Sequence, residues 1–134
     1  MIKVILLMMA FVVTANAQTA RAQQAKWKFI GTSTYEDFYF DEHIDTSRSP
    51  LLKTLVKMSY FDDDDGEAMT SLSLEEFNCS ANTSRIFSMA IYNEKDKLMA
   101  SEYYTVSEHP FELVTPKTFN ETLLKTVCKQ GLKP

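Results

Sequence analysis

The chain has 134 residues, with 14 basic and 18 acidic side chains and a net charge of −4. That length suits one domain around one hydrophobic core. No Lys/Arg cluster breaks the acidic balance, which argues against nucleic acid as a partner.

The first residues, MIKVILLMMAFVVTANA, have the three-part layout of a secretory signal peptide. Lys3 is the positive start, residues 4–13 are an apolar run, and Ala15-Asn16-Ala17 is a small-x-small cleavage site. The run is shorter than the ~20 apolar residues a spanning helix needs. Ala20-Arg21-Ala22 is a second, weaker cleavage site. The expectation is a signal peptide over residues 1–17, a polar lead-in over 18–26 and a domain over 27–134, with no transmembrane segment after signal removal. No cysteine near the cleavage site can accept a lipid. The expected product is therefore exported, periplasmic or secreted, and not a lipoprotein.

Residues 27–35, WKFIGTSTY, read as a first strand, with Trp27, Phe29 and Gly31 facing one way. Residues 38–44, FYFDEHI, read as a second, and residues 46–50 as a loop. Within DEHID, Asp41, His43 and Asp45 carry metal-ligand atoms, but a solvated strand end accounts for them more simply.

Residues 53–61 read as a third strand, with Val56, Met58 and Tyr60 alternating against Leu55, Lys57, Ser59 and Phe61. FDDDDGEAMT follows and raises the question of a calcium loop. With Gly66 in the sixth place of such a loop, Asp63 and Asp65 would take places 3 and 5. Place 1 would then fall on Phe61 and place 12 on Leu72, neither of which offers a side-chain oxygen. The stretch reads instead as a hairpin connection, where Asp bonds its own backbone and Gly accepts positive φ. Its acids also blunt edge-to-edge aggregation.

Residues 71–79 read as a fourth strand, with Leu72 and Leu74 on one face. Residues 83–92 read as a fifth, with Ile86, Ser88, Ala90 and Tyr92 opposite Arg85, Phe87, Met89 and Ile91. A polar turn over 93–97 leads to a sixth strand over 98–106. The period then changes. Thr118-Phe119-Asn120-Glu121 fits a T-x-x-E capping box. Phe119, Leu123, Leu124, Val127 and Cys128 span about half of a helical wheel, with Lys125 and Lys129 opposite. Gly131 is the expected stop.

The two cysteines are Cys79 and Cys128. In an exported chain an even count favours a disulfide over two buried thiols. The bond would close a loop of about 50 residues, worth roughly 4 kcal/mol on a chain-entropy estimate. It would staple the C-terminal helix to the fourth strand. Catalytic signatures are missing: there is no G-x-S-x-G elbow, no phosphate-cradling glycine loop and no His/Cys ligand set. The expectation is no enzyme, no catalytic residue, no metal and no cofactor. Asn78, Asn82 and Asn120 head N-x-S/T triplets, which matter only in a eukaryotic secretory pathway.

The order of these features resembles the surface-adhesin protein E family of Gram-negative bacteria. The resemblance rests on Trp27-Lys28-Phe29-Ile30-Gly31, Tyr39-Phe40-Asp41 leading to Ile44-Asp45, and Val56-Lys57-Met58-Ser59-Tyr60. The strand ending in Cys79, the strand Arg85-Ile86-Phe87-Ser88-Met89 and the helix with Val127-Cys128 complete it. It runs from about Trp27 to Cys128. It implies an α+β fold, an antiparallel sheet of about six strands with one C-terminal helix packed on it and tied by a disulfide. It also implies a binding protein with a protein partner, with adhesion to host extracellular-matrix proteins in the family's naming member. That member is a lipoprotein, and this sequence lacks the lipid-accepting cysteine. No ligand-contacting residue transfers, and a homodimer stays open. The alternative is a periplasmic enzyme inhibitor or accessory protein on the same fold. A broad contact face would mark the adhesin, and a protruding loop over residues 62–68 the inhibitor.

Overall fold

The computed structural model describes residues 24–105 and 107–133. The signal-peptide expectation lies outside the described residues. Among the described residues, eight strands and one full helix follow in order. They are β1 (Trp27–Thr32), β2 (Glu36–Asp41), β3 (Asp45–Arg48), β4 (Leu51–Phe61), β5 (Ala68–Asn78), β6 (Thr83–Asn93), β7 (Leu98–Tyr103), β8 (Glu112–Leu113) and α1 (Phe119–Gly131). The sheet runs β1-β2-β4-β5-β6-β7, with β3 on the end of β4 and β8 on the end of β6. Each pairing is antiparallel.

The centre of the sheet is the long β4–β5–β6 meander. β4 and β5 pair without a slip from Leu51↔Asn78 to Phe61↔Ala68. The connection between them is the acidic turn, and its residues satisfy one another. Asp62 N–H donates to the Glu67 carbonyl at 2.8 Å and Gly66 N–H to the Asp62 carbonyl at 2.8 Å. The Asp62 and Asp65 carboxylates accept from Asp64 and Glu67 N–H. Gly66 has φ +69°, which a side chain would strain.

The unbroken register lets alternation sort the two faces. Leu52, Val56 and Met58 of β4 and Phe77 of β5 share one side with α1. Leu55, Leu72 and Leu74 share the other. We call these the inner and outer faces. Two bulges shift this parity where the sequence pattern continues it. In β1 the register slips between Phe29 and Gly31, so Gly31 falls opposite Phe38 on the inner face while Trp27 and Phe29 stay outside. In β6 Phe87 is the extra residue, because Leu74 pairs with Ser88 and Glu75 with Ile86. Ile86, Met89 and Ile91 therefore line the inner face, and Arg85, Ser88, Ala90 and Tyr92 the outer one. A bulge adds one residue to one strand and so reverses every expected direction beyond it.

Helix α1 crosses the inner face over β1, β4 and β5. Thr118 caps it by accepting from Glu121 N–H. Glu121 reaches back to Lys117 N–H at 3.4 Å, one residue before the cap, so the capping box closes in a shifted form. Leu123, Leu124 and Val127 are buried against Phe40, Leu52, Val56, Phe77 and Val114. Each such side chain contributes about 1.5–3 kcal/mol on burial. Phe119 stacks on Phe38 with centroids 3.8 Å apart. Lys125 faces out and pairs with Glu121 at 3.3 Å.

Gly131 does not end the helix by turning left-handed. It is the last helical residue, and the cap is Leu132, whose N–H bonds the Cys128 carbonyl. Its small size serves packing instead. A Cβ there would lie 2.6 Å from Leu52 Cδ1 and 3.3 Å from Ile44 Cγ2.

The first strand is shorter than the alternation suggests, because the chain turns over Ser33–Glu36, with Ser33 N–H bonding the Glu36 carbonyl at 2.9 Å. Residues 46–48, expected as loop, belong to β3, which pairs Asp45↔Lys53 and Arg48↔Leu51. β8 is likewise absent from the sequence reading: two residues, Glu112 and Leu113, pair with Ser84 and Thr83. Both elements are short and exposed, so neither carries an apolar alternation.

Candidate functional site

The sheet has two unlike faces, and each holds a cluster of polar groups that packing alone does not require. On the outer face, pairing Phe29↔Tyr39 and Tyr39↔Lys57 brings three neighbouring strands into one row. The Lys57 ammonium sits 4.6 Å from the Trp27 ring centre and 4.4 Å from that of Tyr39. Phe29 packs on Tyr39 with centroids 5.4 Å apart. Partial burial lowers the pKa of Lys57, since it disfavours the charged amine.

A second group lies along the same face. Lys53 Nζ is 4.5 Å from the Phe87 ring, and the Arg85 guanidinium lies 4.3 Å from Phe87 and 4.7 Å from Phe111. The β6 bulge is what turns Phe87 to this side. Beside them Glu76, only 1% exposed, accepts from Arg85 Nε at 3.1 Å and Nη2 at 2.8 Å. Arg48 Nη1 stands 4.0 Å away. A buried carboxylate is tolerable here because it is paired and hydrogen-bonded. Phe29 and Phe61 keep 52% and 66% of their surface exposed.

The inner face is covered differently. Because α1 spans only part of the sheet, the chain over residues 109–115 roofs the β5–β6 region. Between roof, helix and sheet lies a cavity of about 340 Å³. Met58 and Val56 of β4, Ser71, Ser73 and Glu75 of β5, and Ile86 and Met89 of β6 wall it, with Asn120 and Leu123 from the helix. Glu75 Oε2 accepts from Ser73 Oγ at 2.6 Å. Burial pushes the Glu75 carboxyl up to about 7, against the opposing pull of the Ser73 hydrogen bond. Arg85, His109 and Glu112 also line the cavity. Arg85, however, spends its guanidinium on Glu76, and the His109 ring lies 3.9 Å from that of Tyr104. Among the described residues no cation pairs with Glu75.

The residues singled out in the sequence fall as follows. Cys79 and Cys128 form the disulfide, with Cα atoms 5.8 Å apart, and it joins the end of β5 to α1. The DEHID carboxylate Asp41 holds the chain rather than a metal: its Oδ1 accepts from Lys26 N–H at 3.1 Å and His43 N–H at 3.0 Å. Among the described residues no group of three His, Cys, Asp or Glu side chains is gathered as a metal site. Asn78 is half-buried, and its side chain accepts from Ser80 and Ala81 N–H in the β5–β6 turn. Glu75 and Glu76 were not singled out. Two glutamates in the middle of an apolar strand, LSLEEF, are the signal, since Glu is depleted in strands.

A family model for surface-adhesin protein E matches residues 27–129, which is β1 through most of α1. The chain belongs to the surface-adhesin protein E family. No curated protein and no solved structure matches it. Membership brings a surface-adhesin-like role at the level of the family, and with it binding to other molecules. The Cys79–Cys128 bond fits an adhesin of this family that folds in an oxidising compartment. Among the described residues no helix is long and apolar enough to cross a membrane.

Proposed function

We propose that the chain is an exported, non-enzymatic binding module that attaches to extracellular-matrix protein through the outer face of its sheet. The observation that carries this reading is the cation–aromatic cluster of Lys57 with Trp27 and Tyr39 on one face, beside the exposed Phe29 ring that packs on Tyr39. Rigid Trp, Tyr and Arg side chains dominate binding energy in protein interfaces. Here they sit on paired strands, so little ordering entropy is lost on contact. Exposed Phe29 and Phe61 extend the face.

The inhibitor alternative called for a protruding loop at residues 62–68. That stretch is an exposed hairpin turn closed by its own hydrogen bonds, and it carries no aromatic or basic side chain to anchor in a partner's cleft, whereas the outer face carries both. Binding of the exported chain to immobilised matrix proteins, followed by surface plasmon resonance, tests the reading. Phe29→Ala with Lys57→Glu should weaken binding at least tenfold, as for loss of an anchor worth about 1.4 kcal/mol or more. Lys125→Glu on the far side of α1 should leave it unchanged. Binding that survives the outer-face pair, or no binding by the unaltered chain, overturns the assignment.

A further inference from the structure

The outer face leaves one feature of the molecule unused. Glu75 lies in the strand next to Glu76 yet points the other way, into the inner cavity. Its surroundings there are three serine hydroxyls, Ser71, Ser73 and Ser84, and apolar side chains such as Met58, Ile86 and Met89. A carboxylate withdrawn from water is normally matched by a cation. Glu76 has Arg85, whereas half-buried Glu75 has, among the described residues, a serine and no cation. The two bases near it do not help: the Arg85 guanidinium is turned to the outer face and the His109 ring lies against Tyr104. Glu112 on the roof adds a further acid and no counter-charge. At about 340 Å³ the space is within the range of pockets that enclose a small organic molecule.

We propose that this cavity is a binding site for a small organic amine, with its ammonium group on the Glu75 carboxylate and its hydrocarbon part between Met58, Ile86 and Met89. The ammonium replaces the missing counter-charge, and the serine hydroxyls accept its remaining N–H groups. The apolar wall gives the hydrocarbon part a surface removed from water. An alcohol of the same shape would fill the same space but leave the carboxylate without a charge partner. A carboxylic acid would place like charges together. The site thus selects for charge first and shape second. It lies on the opposite side of the sheet from the proposed adhesive face, so the two assignments stand or fall separately.

Phenethylamine and its neutral counterpart 2-phenylethanol serve as probes, titrated into the full exported chain by isothermal calorimetry at pH 8. The amine should bind at least tenfold more tightly than the alcohol. Glu75→Gln should abolish that preference. Met89→Trp, which fills the cavity from the half-buried middle of β6, should weaken both probes and keeps the test decisive if the Gln variant folds poorly. At pH 5, where Glu75 takes up a proton, the preference should shrink several-fold. Equal affinity for the two probes, a preference that survives Glu75→Gln, or no binding of phenethylamine each overturn the proposal.

Discussion

Glu75 and Glu76 are adjacent in the chain and opposite in environment. Glu76 turns outward, is almost wholly buried, and is held by two hydrogen bonds from Arg85. Glu75 turns inward, meets a cavity, and among the described residues has only Ser73 as a partner. The same side chain is therefore a structural ion on one face and an unmatched acid on the other. Strand alternation alone separates them. The lesson is that in a two-faced sheet the chemistry of a residue is set by its parity before its identity.

The sharpest way to break this contrast is to remove the partner on the outer face. Arg85→Met leaves the Glu76 carboxylate buried with the distant Arg48 as its one remaining ion-pair partner among the described residues. Loss of one member of a buried pair costs about 3–5 kcal/mol. Urea unfolding at pH 7 should show a fall of that size, and the double change Arg85→Met with Glu76→Leu should recover most of it. A loss under about 1 kcal/mol would mean that Glu76 does not depend on Arg85.

The inner face is held by the helix, so the next test loosens the helix. Replacing Cys79 and Cys128 with serine should lower stability by about 2–5 kcal/mol. Hydrogen exchange should rise first at the C-terminal end of α1, around Val127 and Gln130, while β4 and β5 stay protected. Loss of protection spread evenly over the sheet would show that the bond holds more than the helix.

The smallest effect concerns Glu75 itself, and its sign follows from proton linkage. The folded chain keeps the Glu75 proton up to about pH 7, whereas the ordinary value is 4.5. Between these values the folded state binds more protons than the unfolded one, so stability falls as pH rises. This contribution is complete below the unfolded value and lost as pH passes through the folded one. Glu75→Gln removes the titration. The variant should match the parent chain near pH 4 and exceed it by about 1–3 kcal/mol near pH 8. A gap that does not widen with pH would show that the acid is well solvated.

Much of the architecture is legible in the residues. The alternation of Val56, Met58 and Tyr60 against Leu55, Lys57 and Ser59 marks β4 because each half meets a different environment. Thr118 and Glu121 mark the start of α1, since the unpaired N–H groups of any helix start need such acceptors. The acidic turn is legible too: Asp and Gly close it through local hydrogen bonds that need nothing from elsewhere in the fold. Cys79 and Cys128 could be paired because an exported chain with two thiols has one intramolecular bond open to it.

Other features were decided only in three dimensions. Nothing in Ile86-Phe87-Ser88 announces a bulge, which arises where β6 must match β5 over its full length. That slip turns Phe87 outward to Arg85 and Met89 inward to the cavity, so it shapes both candidate sites. β3 and β8 exist because longer strands offer free backbone groups beside them, not because their own residues favour extension. Gly131 reads as a stop but serves as a space for Leu52, a contact between positions far apart in the chain. The different fates of Glu75 and Glu76 follow from the same cause. Within β5 simple alternation sets which way each glutamate points, whereas a counter-charge arrives from another strand, and only the folded sheet decides which glutamate receives it.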